Sequence, residues 1–151
     1  MNEVAQQALA YLAAHHVMTL ATNGPDGVWA TAVFYVNDGF DLIFLSAAHT
    51  RHVQNFRVAD QVAATIQEDY ADWRLIQGIQ CAGIVTQLEG DAKAVAINLY
   101  KQKYPFLQHA PAQIATAFAK VNWYRLRLQS LYFIDNGKGF GHRDEVILPD
   151  F

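Results

Sequence analysis

The chain has 151 residues, enough for one ordinary domain, and is 52% hydrophobic against 17% charged, which excludes a disordered segment and provides for a packed core. Its formal net charge of −3, with 11 Lys and Arg spread along the sequence, excludes the concentrated basic surface that nucleic-acid phosphates require. No apolar run approaches the roughly 20 residues that span a bilayer, and a lone cysteine, Cys81, allows neither an internal disulfide nor a multi-cysteine metal cage.

The N-terminal MNEVAQQALAYLAAHH carries an acid at Glu3 and no basic segment, so it reads as a helix over 3–15 rather than a leader peptide, and the cytoplasm is the expected address. Val4, Ala8, Tyr11 and Leu12 fall on one face of that helix. VMTLAT (17–22) predicts a strand, and NGPDG (23–27) supplies the Asn and Gly that tight reversals favour. VWATAVFYV (28–36) is almost wholly apolar and rich in β-formers, which predicts a strand buried on both faces. NDG (37–39) then turns the chain into DLIFLS (41–46).

HTRHVQNFRV (49–58) breaks the β pattern and predicts one short helix, after which VAATIQ (62–67) returns to strand. EDYADW (68–73) reads as a polar, aromatic loop. IQGIQCAGIVTQL (76–88) reads as a long strand whose Gly78 and Gly83 mark bulges or close backbone approaches. Asp91 is the expected N-cap of a helix over 92–104 that stops at Pro105, and 111–120 is a second, shorter helix. Strands over 122–129 and 131–136 precede a Gly-rich tail at 137–143, expected to be solvated. The sum is a mostly β, α+β fold: six or seven antiparallel strands in a closed or nearly closed barrel with flanking helices. The run at 28–36 has more apolar surface than one small barrel covers, so a homodimer is expected.

One segment carries chemistry. In FLSAAHTRHVQNF (44–56), Ser46 closes a strand and Thr50, Arg51 and His52 open the predicted helix. A helix start offers unpaired N–H groups and the positive end of the dipole; a hydroxyl, a guanidinium and an imidazole added there suit a phosphate monoester. The same spacing also describes an ordinary threonine N-cap followed by a solvated arginine.

The order of these features resembles the pyridoxamine 5'-phosphate oxidase-like family of FMN-binding split barrels. It consists of a buried hairpin strand, a DG turn, a strand ending Phe-Leu-Ser, Thr-Arg-His four residues on, then Asn55 and another strand. The resemblance runs from about Val17 to Val85 and more loosely to the tail. It implies a six- to seven-stranded antiparallel split β-barrel, a homodimer with FMN at the subunit interface, and a redox reaction on a small-molecule substrate. By the same resemblance Leu45, Ser46, Thr50, Arg51 and His52 occupy the phosphate positions. Thr31, Ala32 and Val33 offer backbone groups to the flavin ring, and Gln80, with Gln77 as its rival, reaches the cofactor. His52 stands where the oxidases carry lysine, and Ala30 and Tyr35 stand where they carry arginine and lysine. Gly141, His142 and Arg143 do not reproduce their substrate-binding tail. Pyridoxamine 5'-phosphate itself is therefore not the expected substrate, and no residue is identified as a catalytic acid or base. A deazaflavin or haem in place of FMN remains open, as does a flavin carrier without turnover.

The six histidines form no H-E-x-x-H pattern, and His49 with His52, three apart, has no nearby acid to complete a metal set, so no metal is expected. Cys81 sits inside an apolar strand and reads as packed rather than nucleophilic. Glu68, Asp69 and Asp72 read as a solvated loop cluster.

Overall fold

Alternating apolar and polar residues build a single eight-stranded sheet in the computed structural model, which describes residues 1–150. Its strands are β1 (Val17–Gly24), β2 (Gly27–Phe34), β3 (Val36–Asp38), β4 (Asp41–Ser46), β5 (Gln61–Gln67), β6 (Gln77–Gln87), β7 (Asn122–Asp135) and β8 (Arg143–Glu145). The helices are α1 (Glu3–Ala14), α2 (Arg51–Val58), α3 (Gly90–Lys103) and α4 (Ala112–Ala119). Every strand pairing is antiparallel, in the order β2-β1-β5-β6-β7-β4-β3, with β8 on β7. Among the described residues no helix is long and apolar enough to cross a membrane.

The apolar run at 28–36 explains how this sheet becomes a barrel. β2 and β3 are separated in the chain by Tyr35 alone, yet they lie at opposite ends of the strand order. The sheet therefore curls until its two edges meet across one residue, leaving a split between β2 and β4. Tyr35 is fully buried at that crossing. Its N–H donates to the His16 carbonyl at 2.9 Å, and its carbonyl accepts from the Tyr104 hydroxyl at 2.6 Å. Its own hydroxyl donates to the Leu12 carbonyl at 2.7 Å.

Leu20, Leu42, Phe44, Ile66, Ile79 and Leu126 fill the barrel, joined by Leu12 of α1 and by Val53 and Phe56 of α2. Strand alternation sends Ile43 and Trp123 to the opposite face, where Ala96 and Tyr100 of α3 cover them in a second, smaller cluster. The helix over 3–15 buries Ala8, Tyr11 and Leu12 as expected, with Ala5 rather than Val4 as the fourth contact.

Several expectations change. β2 is not buried on both faces: Val28 is 79% exposed, Phe34 56% and Trp29 44%. The run forms a strand as its apolar pattern implies, but β2 is an edge strand, and no other strand among the described residues pairs with its outer edge. The strands over 122–129 and 131–136 are one continuous β7, and the irregularity between them is a bulge in its pairing with β6 at Ala82 and Gly83. Gly83 makes that bulge possible, since a Cβ there would stand 1.9 Å from the Arg127 carbonyl oxygen. The tail at 137–143 is exposed as expected, apart from a half-buried His142, but it leads into a strand that was not expected: Arg143–Glu145 pairs with β7 and Val146 is buried. Helix α3 begins at Gly90 with Glu89 at its N-cap, so Asp91 sits in the first turn, where its carboxylate suits the dipole without capping it.

Candidate functional site

The turn between β4 and α2 is held by its own hydrogen bonds. Thr50 donates its N–H to the Ala47 carbonyl at 3.2 Å and its hydroxyl to the same oxygen at 2.9 Å, and the Gln54 amide donates to the Ala48 carbonyl at 2.6 Å. Because the Thr50 hydroxyl faces back into the turn, no side chain caps the first-turn amides of α2. The positive end of the helix is left open, which is the condition for holding an anion there.

Arg51 reaches across to the β1–β2 hairpin. One guanidinium nitrogen donates to the Asp26 carbonyl at 3.2 Å, and the guanidinium carbon lies 4.3 Å from the centre of the Trp29 ring. A cation stacked on an aromatic face keeps its other N–H groups in a fixed plane, so the charge is positioned rather than free to wander. The same hairpin is fastened to α2 from below. Asn55 donates to the Thr22 hydroxyl at 3.0 Å, and a Cβ at Gly24 would collide with the Asn55 amide oxygen at 2.0 Å. Asp26, Trp29 and Thr22 could not be picked out from the local pattern around Arg51, because they lie more than twenty residues upstream and meet it only through the hairpin.

His52 occupies a different layer. It is 7% exposed, with Nε2 2.7 Å from the Ser46 hydroxyl and 3.4 Å from the Thr50 hydroxyl. Burial pushes its titration below the ordinary 6.5, so the imidazole is neutral at neutral pH. It braces Ser46 and Thr50 from beneath the open helix end. Ser46, Thr50 and His52 thus form one hydrogen-bonded cluster, and Arg51 stands apart from it, bonded across to the hairpin.

Thr31, Ala32 and Val33 lie along β2, whose far edge has no strand partner among the described residues. Ala30 and Ala32 are exposed and small, so a flat ligand can approach the main chain closely there. Gln80 is on the same sheet row as Ala32 but three strands away, through Thr19 and Thr65. Its side-chain oxygen accepts from Arg143 at 3.4 Å, and the Arg143 guanidinium lies 4.8 Å over the Tyr132 ring. The chain therefore brings Gln80 to the tail rather than to Arg51. Gln77 offers its carbonyl to the Tyr11 hydroxyl at 3.1 Å, and His142 pairs with Asp144 at 3.1 Å. The Cys81 thiol, donating to the Ala64 carbonyl, is pushed up to about 12 by burial, which fits a packing role. Among the described residues no group of three or more His, Cys, Asp or Glu is placed to hold a metal ion.

An antiparallel barrel split beside an edge strand, with an uncapped helix start facing that strand, defines the split-barrel class. Residues 4–135 match the pyridoxamine 5'-phosphate oxidase family, and the chain belongs to that family. It is similar to a UPF0306 protein of Photorhabdus laumondii, 35% identical over 135 residues that cover 88% of each chain. Its fold is similar to that of a haem-binding protein from Mycobacterium smegmatis (TM-score 0.77, 21% identity), with 97% of this chain matched to 58% of that one. It is also similar to HutZ, the haem storage protein from Vibrio cholerae (TM-score 0.67, 15% identity), with 86% of this chain matched to 94% of that one.

Proposed function

We propose that this chain binds FMN and serves as a flavin-dependent oxidoreductase on a small-molecule substrate. The observation that carries the reading is the uncapped start of α2, with Arg51 stacked on Trp29 beside the unpaired edge of β2. The donors there suit a phosphate monoester: first-turn amides and a guanidinium with only one nitrogen engaged. Thr31, Ala32 and Val33 would lie along the isoalloxazine. Ser46 and His52 would keep Thr50 in place. When bound, the flavin supplies the electron-transfer chemistry; the protein supplies binding, orientation and exclusion of water. A second copy of the chain, docked on the exposed face of β2, would cover the other side of the ring, and Gln80 with Arg143 would then reach the site from the partner.

The test is direct. The purified protein should show flavin absorbance bands, the extracted cofactor should have the mass of FMN rather than of a deazaflavin, and Arg51→Ala should weaken FMN binding by about tenfold to a hundredfold. Unchanged affinity in that variant removes the proposed anchor. Haem is the second reading, favoured by the two haem-associated fold relatives and by the exposed imidazole of His16, whose ring lies 5.9 Å from Tyr104 beside the end of β2. A Soret band that disappears in His16→Ala would establish it instead.

A further inference from the structure

Helix α4, with the sequence AQIATAFA, buries none of its residues, although it is almost wholly apolar. An amphipathic helix ordinarily pays its ordering entropy by packing a face. This one is held chiefly through Phe118, whose ring lies 6.1 Å from Tyr100 and 6.0 Å from Trp123. Between α4 and α3 there remains a cavity of about 370 Å³. Ile97, Leu107, Ile114, Phe118 and Trp123 line it, and Lys101 and Gln108 supply polar groups. Its floor, Trp123, pairs with Leu45 on the opposite side of β4 from the hydroxyl of Ser46, so it is separate from the α2 site.

Charge points the same way independently. Acidic residues are absent from Ala92 to Ile134, whereas this stretch holds six of the chain's 11 Lys and Arg, in a protein whose net charge is −3. Arg125 is committed to Asp38 and Asp41, Arg127 lies by Asp41, and Lys103 donates to the carbonyls of Leu12 and His15. Lys101 forms no ion pair or hydrogen bond among the described residues, and it lines the cavity.

We propose that the cavity between α3 and α4 binds a small amphipathic carboxylate, its hydrocarbon or aromatic part against Trp123 and Phe118 and its carboxylate on the Lys101 ammonium. The volume lies near the small end of ligand sites, which suits an acid of roughly eight to ten carbons. Octanoate is the probe. By calorimetry, octanoate should bind the wild-type protein at one site per chain, and octanamide, uncharged and of the same length, about tenfold or more weakly. Lys101→Met, which keeps the stem and removes the charge, should lower octanoate affinity to the octanamide level. Ala115→Phe, at an exposed position of α4 on the cavity wall, should abolish both; its thermal unfolding, compared with wild type, reports whether the variant is folded. Absence of octanoate binding to the wild-type protein overturns the proposal. Equal affinities for acid and amide, or octanoate binding that survives both substitutions, do so as well. Flavin content is read separately in each variant, so the outcome does not depend on the α2 site.

Discussion

Arg51 shows how a single residue becomes an anchor. Alone, an exposed arginine is a flexible charge of little energetic consequence; stacked on Trp29 and tied to the Asp26 carbonyl, it is presented in one orientation. His52 contributes by the opposite route, through burial. Its imidazole is held below the ordinary 6.5, so between that value and its lower folded value the unfolded chain takes up a proton that the native state does not. Stability from this group is therefore full above about pH 7 and declines as pH falls through 6.5. Urea midpoints measured at about pH 7.5 and about pH 5.5 should drop more in wild type than in His52→Gln, which retains an amide for Ser46 but does not titrate. Equal drops would mean that His52 is not the titrating group. Gly83 acts through what it lacks. A methyl at that position would stand 1.9 Å from the Arg127 carbonyl oxygen, a backbone atom that cannot swing away. Gly83→Ala should cost about 3 kcal/mol in chemical unfolding, by forcing β6 and β7 apart at the bulge.

At the scale of elements, the hand-over at Tyr35 decides the architecture. One chain run serves as the edge of the sheet on both sides of the split, and Tyr35 is tied to α1, to His16 just ahead of β1 and to Tyr104 at the end of α3 where it crosses. Tyr35→Phe should lose about 1 kcal/mol, because the Leu12 carbonyl still accepts from Lys103, whereas Tyr35→Ala should lose about 3–5 kcal/mol by opening a cavity at the crossing. A Tyr35→Ala variant as stable as wild type would show that the split barrel closes without it. The strands, the hairpin turns and the helix start at Thr50 were legible in the sequence, because alternation, Asp-Gly turns and a hydroxyl before Arg51 are local signals. The break at Tyr35 was not, since a run of apolar β-formers carries no mark of which neighbour each half chooses. Nor was the exposure of β2, because an apolar strand looks the same whether a sheet or another molecule covers it. Ser130 reads as a strand break because a bulge and a turn share polar, small residues, and the strand Arg143–Glu145 is hidden because three charged residues show no apolar alternation.

On the scale of the whole molecule, the outer face of the barrel remains uncovered. Ala30, Ala21, Ala63 and Ala82 run in register across β2, β1, β5 and β6, a row of small side chains on the face that exposes Val28 and Phe34. An exposed row this apolar is unusual on a chain that stays alone in water, and it adjoins the edge where a flavin would lie. A twin docked on it would bury the row and place each chain's tail, with Gln80 and Arg143, beside the other chain's α2. In sedimentation the wild-type protein should therefore behave as a dimer. Ala63→Arg, which sets a long cation in the middle of the row, on the face of the sheet opposite the Asn55–Thr22 contact, should convert it to a monomer that retains its circular dichroism spectrum. Because the site is shared in this arrangement, that monomer should also lose most of its FMN although Thr50 and Arg51 are untouched. A monomeric wild type would defeat the dimer outright, and a monomeric Ala63→Arg that binds FMN as tightly as before would confine the cofactor to the residues of one chain.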